Sequence, residues 1–145
     1  MTCTFFGHKD TPESVKTKLR ETVIDLIENH NADLFYVGNQ GHFDFLAAKT
    51  LENLKELYPH IRYYIVLAYM PGEKRDSGID FSSAIYPEGL ENVPLRFAID
   101  KRNRWMLDLS EAVVTYVEHN FGGAAKFKEL AEKKNKTVIN LVEGG

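Results

Sequence analysis

The chain has 145 residues, 43% of them hydrophobic, which suits one globular domain built on a single core. Its net charge of −3 removes bulk charge as an argument for a polyanionic partner, so any nucleic-acid contact has to come from a local patch. The single cysteine, Cys3, excludes an internal disulfide, fits a reducing compartment and reads as core filler.

The N-terminus has no basic segment followed by an apolar one, so no signal peptide is expected. No apolar run is long enough to cross a bilayer, and the expected setting is cytoplasmic without a membrane partner.

Residues 2–6 (TCTFF) read as the first strand, which stops at Gly7-His8. Thr11-Pro12-Glu13-Ser14 has the make-up of a helix start: a capping hydroxyl, proline at the first helical position and an acid in the first turn. The helix that follows carries Val15, Leu19, Val23, Leu26 and Ile27 on one face and ends near Asn29-His30-Asn31. Residues 32–37 (ADLFYV) form the second strand, followed by a glycine-bearing turn over 38–44 (GNQGHFD). Phe43, Ala47, Leu51 and Leu54 line the next helix, which Pro59 closes.

Residues 61–69 (IRYYIVLAY) are the most β-prone run and the third strand. From 73 to 94 the sequence is irregular. Ile79-Asp80-Phe81 and Ala84-Ile85-Tyr86 are each candidates for a short strand, and the loop 72–78, with Lys74 and Arg75, is a candidate flap. Residues 95–109 are helical, with Ala98, Trp105 and Leu109 placed toward the core. The uncharged, β-branched run 112–117 has the composition of a buried parallel strand. A loop from Glu118 closes on Gly122-Gly123, and a helix from Ala124 turns Phe127, Leu130 and Ala131 inward. Residues 137–142 make the last strand, and 143–145 a frayed end.

Strands alternate with helices throughout. That order implies an α/β fold: a three-layer Rossmann-like sandwich with a mainly parallel sheet of about five strands, in one domain over residues 1–145. In such sheets ligands sit beyond the carboxyl ends of the strands, near the switch in strand order. Three turns fall on that edge: Gly7-His8-Lys9, residues 38–44, and residues 119–124. All carry glycine, which lets backbone approach a ligand, and a strand–turn–helix unit points N–H groups at an anion. The expected ligand is phosphate-bearing or nucleotide-like.

The stretch Gly38-Asn39-Gln40-Gly41-His42-Phe43-Asp44, with Leu46-Ala47-Ala48 after it, resembles the glycine–glycine–aspartate turn of the SLOG superfamily. That superfamily unites the Smf/DprA Rossmann domain, the YpsA-like proteins and the LOG or "lysine decarboxylase-like" phosphoribohydrolases. Ile85-Tyr86-Pro87, the run 102–110 (RNRWMLDLS), Ala112-Val113-Val114 and Gly122-Gly123-Ala124-Ala125-Lys126 resemble the same families in the same order. The resemblance implies a nucleotide-derived or nucleic-acid ligand. The residues it carries over are Gly7, Gly38, Gly41, Asp44, Arg102, Asn103, Gly122 and Gly123. The hydrolase branch places a threonine and then a glutamate just after its glycine pair. Here no threonine follows Gly122-Gly123, and the first acid is Glu129, so the loop resembles a cradle more than a catalytic centre.

The binding set expected from both lines of reading is Gly7, His8, Gly38, Asn39, Gly41, Asp44, Arg102, Asn103, Glu118, Gly122, Gly123 and Ala124. Arg102 and, less so, Arg104 are read as phosphate clamps against the alternative of a solvated helix face with a salt bridge to Asp100 or Asp108. Asp44 reads as a ribose contact or as a helix-start carboxylate. Glu118 reads as a ribose contact or a solvent-facing acid. Trp105 could stack on a base, but its spacing suits the core. The lysines of the last helix read as its wet face. His8, His42 and His119 fall in rim loops as candidate acids or bases. No pair has the spacing of a helical metal motif, so neither a metal nor a cofactor is expected.

The leading expectation is a domain that binds a nucleotide or nucleotide-derived small molecule in a sensory or regulatory role. One alternative is a nucleotide N-glycosidase using Asp44 or Glu118. Another is single-stranded DNA binding of the Smf/DprA type. A homo-oligomer is a further expectation from the resemblance.

Overall fold

The computed structural model describes residues 1–69 and 84–142. The expected strand at Ile79-Asp80-Phe81, the loop 72–78 and the tail 143–145 lie outside the described residues. In chain order the elements are β1 (Thr2–Gly7), α1 (Val15–Asn29), β2 (Leu34–Val37), α2 (Gly41–Leu57) and β3 (Arg62–Val66). They continue with β4 (Ala84–Ile85), α3 (Leu95–Asp108), β5 (Ala112–Tyr116), α4 (Gly123–Lys133) and β6 (Thr137–Asn140).

The described strands form one all-parallel, six-stranded sheet in the order β4-β3-β2-β1-β5-β6. This is the Rossmann-like α/β sandwich, with one strand more than the five expected. The addition is the short β4, where Ala84 and Ile85 pair with Ile65 and Val66.

Alternation along the central strands builds two cores, because successive side chains leave opposite faces of a sheet. Phe5, Phe35 and Val114 pack with α1 and α2 residues such as Leu19, Phe43 and Leu51. Phe6 and Val113 pack on the other face with Met106 and Leu107 of α3 and Phe127 of α4. Every residue of β5 is buried, as its uncharged composition requires. Cys3 is buried in the first core, and burial pushes its thiol up to about 12. No described helix is long and apolar enough to cross a membrane.

Local outcomes differ from the sequence expectation where tertiary contacts intervene. The first helix begins at Val15, three residues beyond Pro12. The Thr11 hydroxyl donates to the His8 carbonyl at 2.6 Å instead of capping the helix, so it braces the loop after β1. Leu109 is 47% exposed, whereas the buried stripe of α3 is Ala98, Arg102, Met106 and Leu107. A charged residue thus occupies a core position at helical spacing.

Candidate functional site

The chain runs outward from β1 through β2 and β3 to β4, then returns to the other side of β1 for β5 and β6. The switch in strand order therefore lies between β1 and β5, where ligands bind in open α/β sheets. A cavity of about 320 Å³ opens there at the carboxyl ends of the strands. The β1 loop (Gly7 to Asp10) forms one wall, with Gln40 and Asp44 at the start of α2. His119 and the residues Gly122, Gly123 and Ala124 form the opposite wall, and Ile99, Arg102 and Asn103 of α3 close the side. The volume lies at the small end of the range for ligand sites.

Arg102 is the largest fully buried side chain in the described structure, only 1% exposed. Its Nε donates to Asn103 Oδ1 at 2.8 Å. Its Nη1 donates to Asn39 Oδ1 and to the Val66 carbonyl, each at 3.0 Å. These bonds fix a guanidinium beneath the cavity before any ligand arrives, as preorganised recognition of an anion requires. Burial lowers the Arg102 pKa, and the neighbouring Asp44 opposes that shift.

Asp44 is the countercharge. Its Oδ2 accepts the Gln40 backbone N–H at 2.9 Å, a first-turn carboxylate reaching back to the residue before α2. Burial raises its pKa from 3.8 to about 6, against the pull of Arg102 and of the Gln40 N–H. Gly38 lies between the two groups. A Cβ there would stand 2.8 Å from Asp44 Oδ2 and 3.0 Å from Arg102 Cζ.

The glycines have different physical reasons. A Cβ on Gly7 would fall 2.2 Å from the Phe43 ring, and one on Gly41 would fall 2.7 Å from Lys9 Cα. Gly41 also takes φ of +88°, and the adjacent His42 N–H donates to the Lys9 carbonyl at 2.9 Å. These glycines let the β1 loop and α2 approach each other. Gly122, with φ of +91°, and Gly123 have open space where a Cβ would be. They begin α4, whose first N–H groups lack partners within the helix and carry its positive dipole end.

Three rings stack beside the cavity, of which His8 and His119 line it. His8 lies on His119 at 3.9 Å between ring centres, and His119 lies on Phe121 at the same separation. His8 Nε2 accepts the Glu118 backbone N–H at 3.0 Å, which leaves Nδ1 as the protonated nitrogen of a neutral ring. His119 Nδ1 donates to the Phe121 carbonyl at 3.1 Å. Burial lowers the His8 pKa, and the stacked His119 lowers it further.

The structure thus brings Gly7, His8, Asp44, Arg102, Asn103, Gly122, Gly123 and Ala124 together around one cavity. Gly38 and Asn39 stand behind it against Arg102, and Gly41 stands against Lys9. Glu118 lines a neighbouring, more open cleft of about 560 Å³, with Lys128, Glu129 and Glu132. His42 turns away to pair with Glu13 at 3.0 Å. Arg104 pairs with Asp100 at 2.8 Å on the surface, and Trp105 packs against Tyr36. Asp10, Gln40 and Ile99 were not singled out by sequence reasoning. Gln40 lies inside a glycine turn and Asp10 directly after one; Ile99 carries no sequence signal. Among the described residues no group of histidines, cysteines and carboxylates is arranged to hold a metal.

No protein-family model and no curated protein matches the chain. Among solved structures it is similar to DNA processing protein A from Helicobacter pylori, in a structure concerned with that protein's single-stranded DNA binding mode. The TM-score is 0.70 at 15% identity, over 95% of this chain and 63% of the other. The chain therefore spans just under two thirds of that protein's length. At this identity the likeness shows the fold alone, a Rossmann-like α/β sandwich.

Proposed function

We propose that this chain is a SLOG-type Rossmann-like domain that binds a phosphate-bearing, nucleotide-derived ligand at the switch-point cavity, in a sensory or regulatory role. The observation that carries this reading is the guanidinium of Arg102. It is buried, held by three hydrogen bonds, and sits in the same cavity as the open Gly122–Gly123 start of α4. A fixed cation and a helix N-terminus facing one small cavity form a seat for an anion. Asp44 and Asn103 supply an acceptor and an amide for sugar hydroxyls.

A thermal-shift screen with nucleoside mono-, di- and triphosphates tests the reading. A ligand at one hundred times its Kd stabilises the folded state by about 2.7 kcal/mol. For a domain of this size that raises Tm by roughly 5–10 °C. No shift with any nucleotide at millimolar concentration would refute it.

Two further readings have specific support. The Asp44 carboxyl, raised to about 6 beside the cavity, suits a proton donor in an N-glycosidase. Release of free base from a nucleoside monophosphate panel tests this, and a panel with no release excludes it. The likeness to a protein described by its single-stranded DNA binding supports a polymer ligand. Oligonucleotide affinity would then fall steeply with salt, because phosphate contacts release counterions.

A further inference from the structure

Phe121 is the most exposed large apolar side chain among the described residues, at 67%. Burial does not account for its place, yet its orientation is specific. Its ring lies 14° from parallel on His119, which lies 20° from parallel on His8. At the inner end of this column Tyr116 meets His8 edge-on, with ring centres 6.3 Å apart. Tyr116 thus caps one end of the column, its middle members His8 and His119 line the cavity, and Phe121 is the exposed end. The His119 Nδ1 bond to the Phe121 carbonyl and the Glu118 N–H bond to His8 hold the loop in this form. Gly122 and Gly123, the next two residues, line the cavity.

We propose that the outer face of Phe121 is a stacking platform for an aromatic base joined to the phosphate-bearing group in the cavity. This rests on the cavity being an anion site, and it names the ligand class as a purine or pyrimidine nucleotide rather than a sugar phosphate. Offset stacking extends a column of rings by one more planar ring, and a base has such a face whatever its sequence identity. Trp105, the other aromatic candidate for a base, is engaged with Tyr36 at 5.2 Å. A free mononucleotide and one nucleotide of a single strand present the same base and phosphate.

The test is calorimetric titration of the full chain, as wild type, Phe121→Ala and Phe121→Trp, with AMP, ribose 5-phosphate and a short oligothymidylate. Wild type should bind AMP about tenfold or more tighter than ribose 5-phosphate, the order expected for one stacked base. Phe121→Ala should reduce AMP to the affinity of ribose 5-phosphate and leave ribose 5-phosphate unchanged, while Phe121→Trp retains AMP binding. The base protons of AMP should shift upfield with wild type and not with Phe121→Ala. If the oligonucleotide binds and AMP does not, a tenfold loss for the oligonucleotide on Phe121→Ala supports the platform with a polymer as its source. Equal affinities for AMP and ribose 5-phosphate, or base binding indifferent to Phe121→Ala, overturn the platform and leave the anion site standing. Absence of binding by all three ligands overturns both.

Discussion

Replacing Asp44 with Asn isolates the energetics of the buried charge beneath the cavity. Asn keeps the shape, and its Oδ1 can still accept the Gln40 N–H that Asp44 Oδ2 accepts at 2.9 Å. What it removes is a titration. Burial moves the Asp44 carboxyl from 3.8 to about 6, which corresponds to about 3 kcal/mol between the two protonation states. Because the folded-state pKa is raised, the stabilising contribution is complete below the unfolded value. It is lost as pH rises through the folded one. The stability of wild type minus that of Asp44→Asn should therefore fall by roughly 2 kcal/mol between pH 4 and pH 7. Other titrating groups cancel in this difference, and the attraction between Asp44 and Arg102 is already contained in the folded-state pKa. Urea unfolding followed by Trp105 fluorescence at several pH values gives the difference directly. A difference that is flat, or that rises with pH, would refute the account of a desolvated carboxylate.

Four other outcomes follow from contacts in the site. Gly7→Ala puts a methyl 2.2 Å from the Phe43 ring and should cost about 1–3 kcal/mol in chemical denaturation, whatever its effect on binding. Gly122→Ala is strained at φ of +91° and should cost about 1–3 kcal/mol. Gly123→Ala meets open space without that strain, so stability should hold within about 0.5 kcal/mol while nucleotide affinity drops. The His8 ring should titrate below 6.5 by NMR, and His119→Ala should move it upward by removing the second cause of the shift. With its folded pKa lowered, His8 contributes stability above its unfolded value that is lost as pH falls through the folded one.

The parallel α/β order was legible in local pattern. Val15, Leu19, Val23, Leu26 and Ile27 recur at helical spacing and are all buried in α1. The uncharged run at Ala112–Tyr116 is the fully buried β5. The glycine turns were legible as turns, since backbone conformation leaves a residue signature. Their separate reasons were not. Gly7 is small because of Phe43, 36 residues later in the sequence, while Gly122 and Gly123 face open space. Trp105 packs against the second core as its spacing suggested, whereas Leu109 looked inward because hydropathy assigns apolar residues to the core, and it is exposed.

Sequence alone therefore determined the element order, the parallel sheet and the edge on which the three turns meet, because each depends on short-range periodicity and backbone preference. Tertiary structure decided what those turns surround. It put Arg102 in the core, where Asn39 and the Val66 carbonyl reach it from distant segments, and set Asp44 beside it. It also stacked His8, His119 and Phe121 across two loops. Burial and charge pairing are properties of groups that meet only after folding, so no local pattern records them.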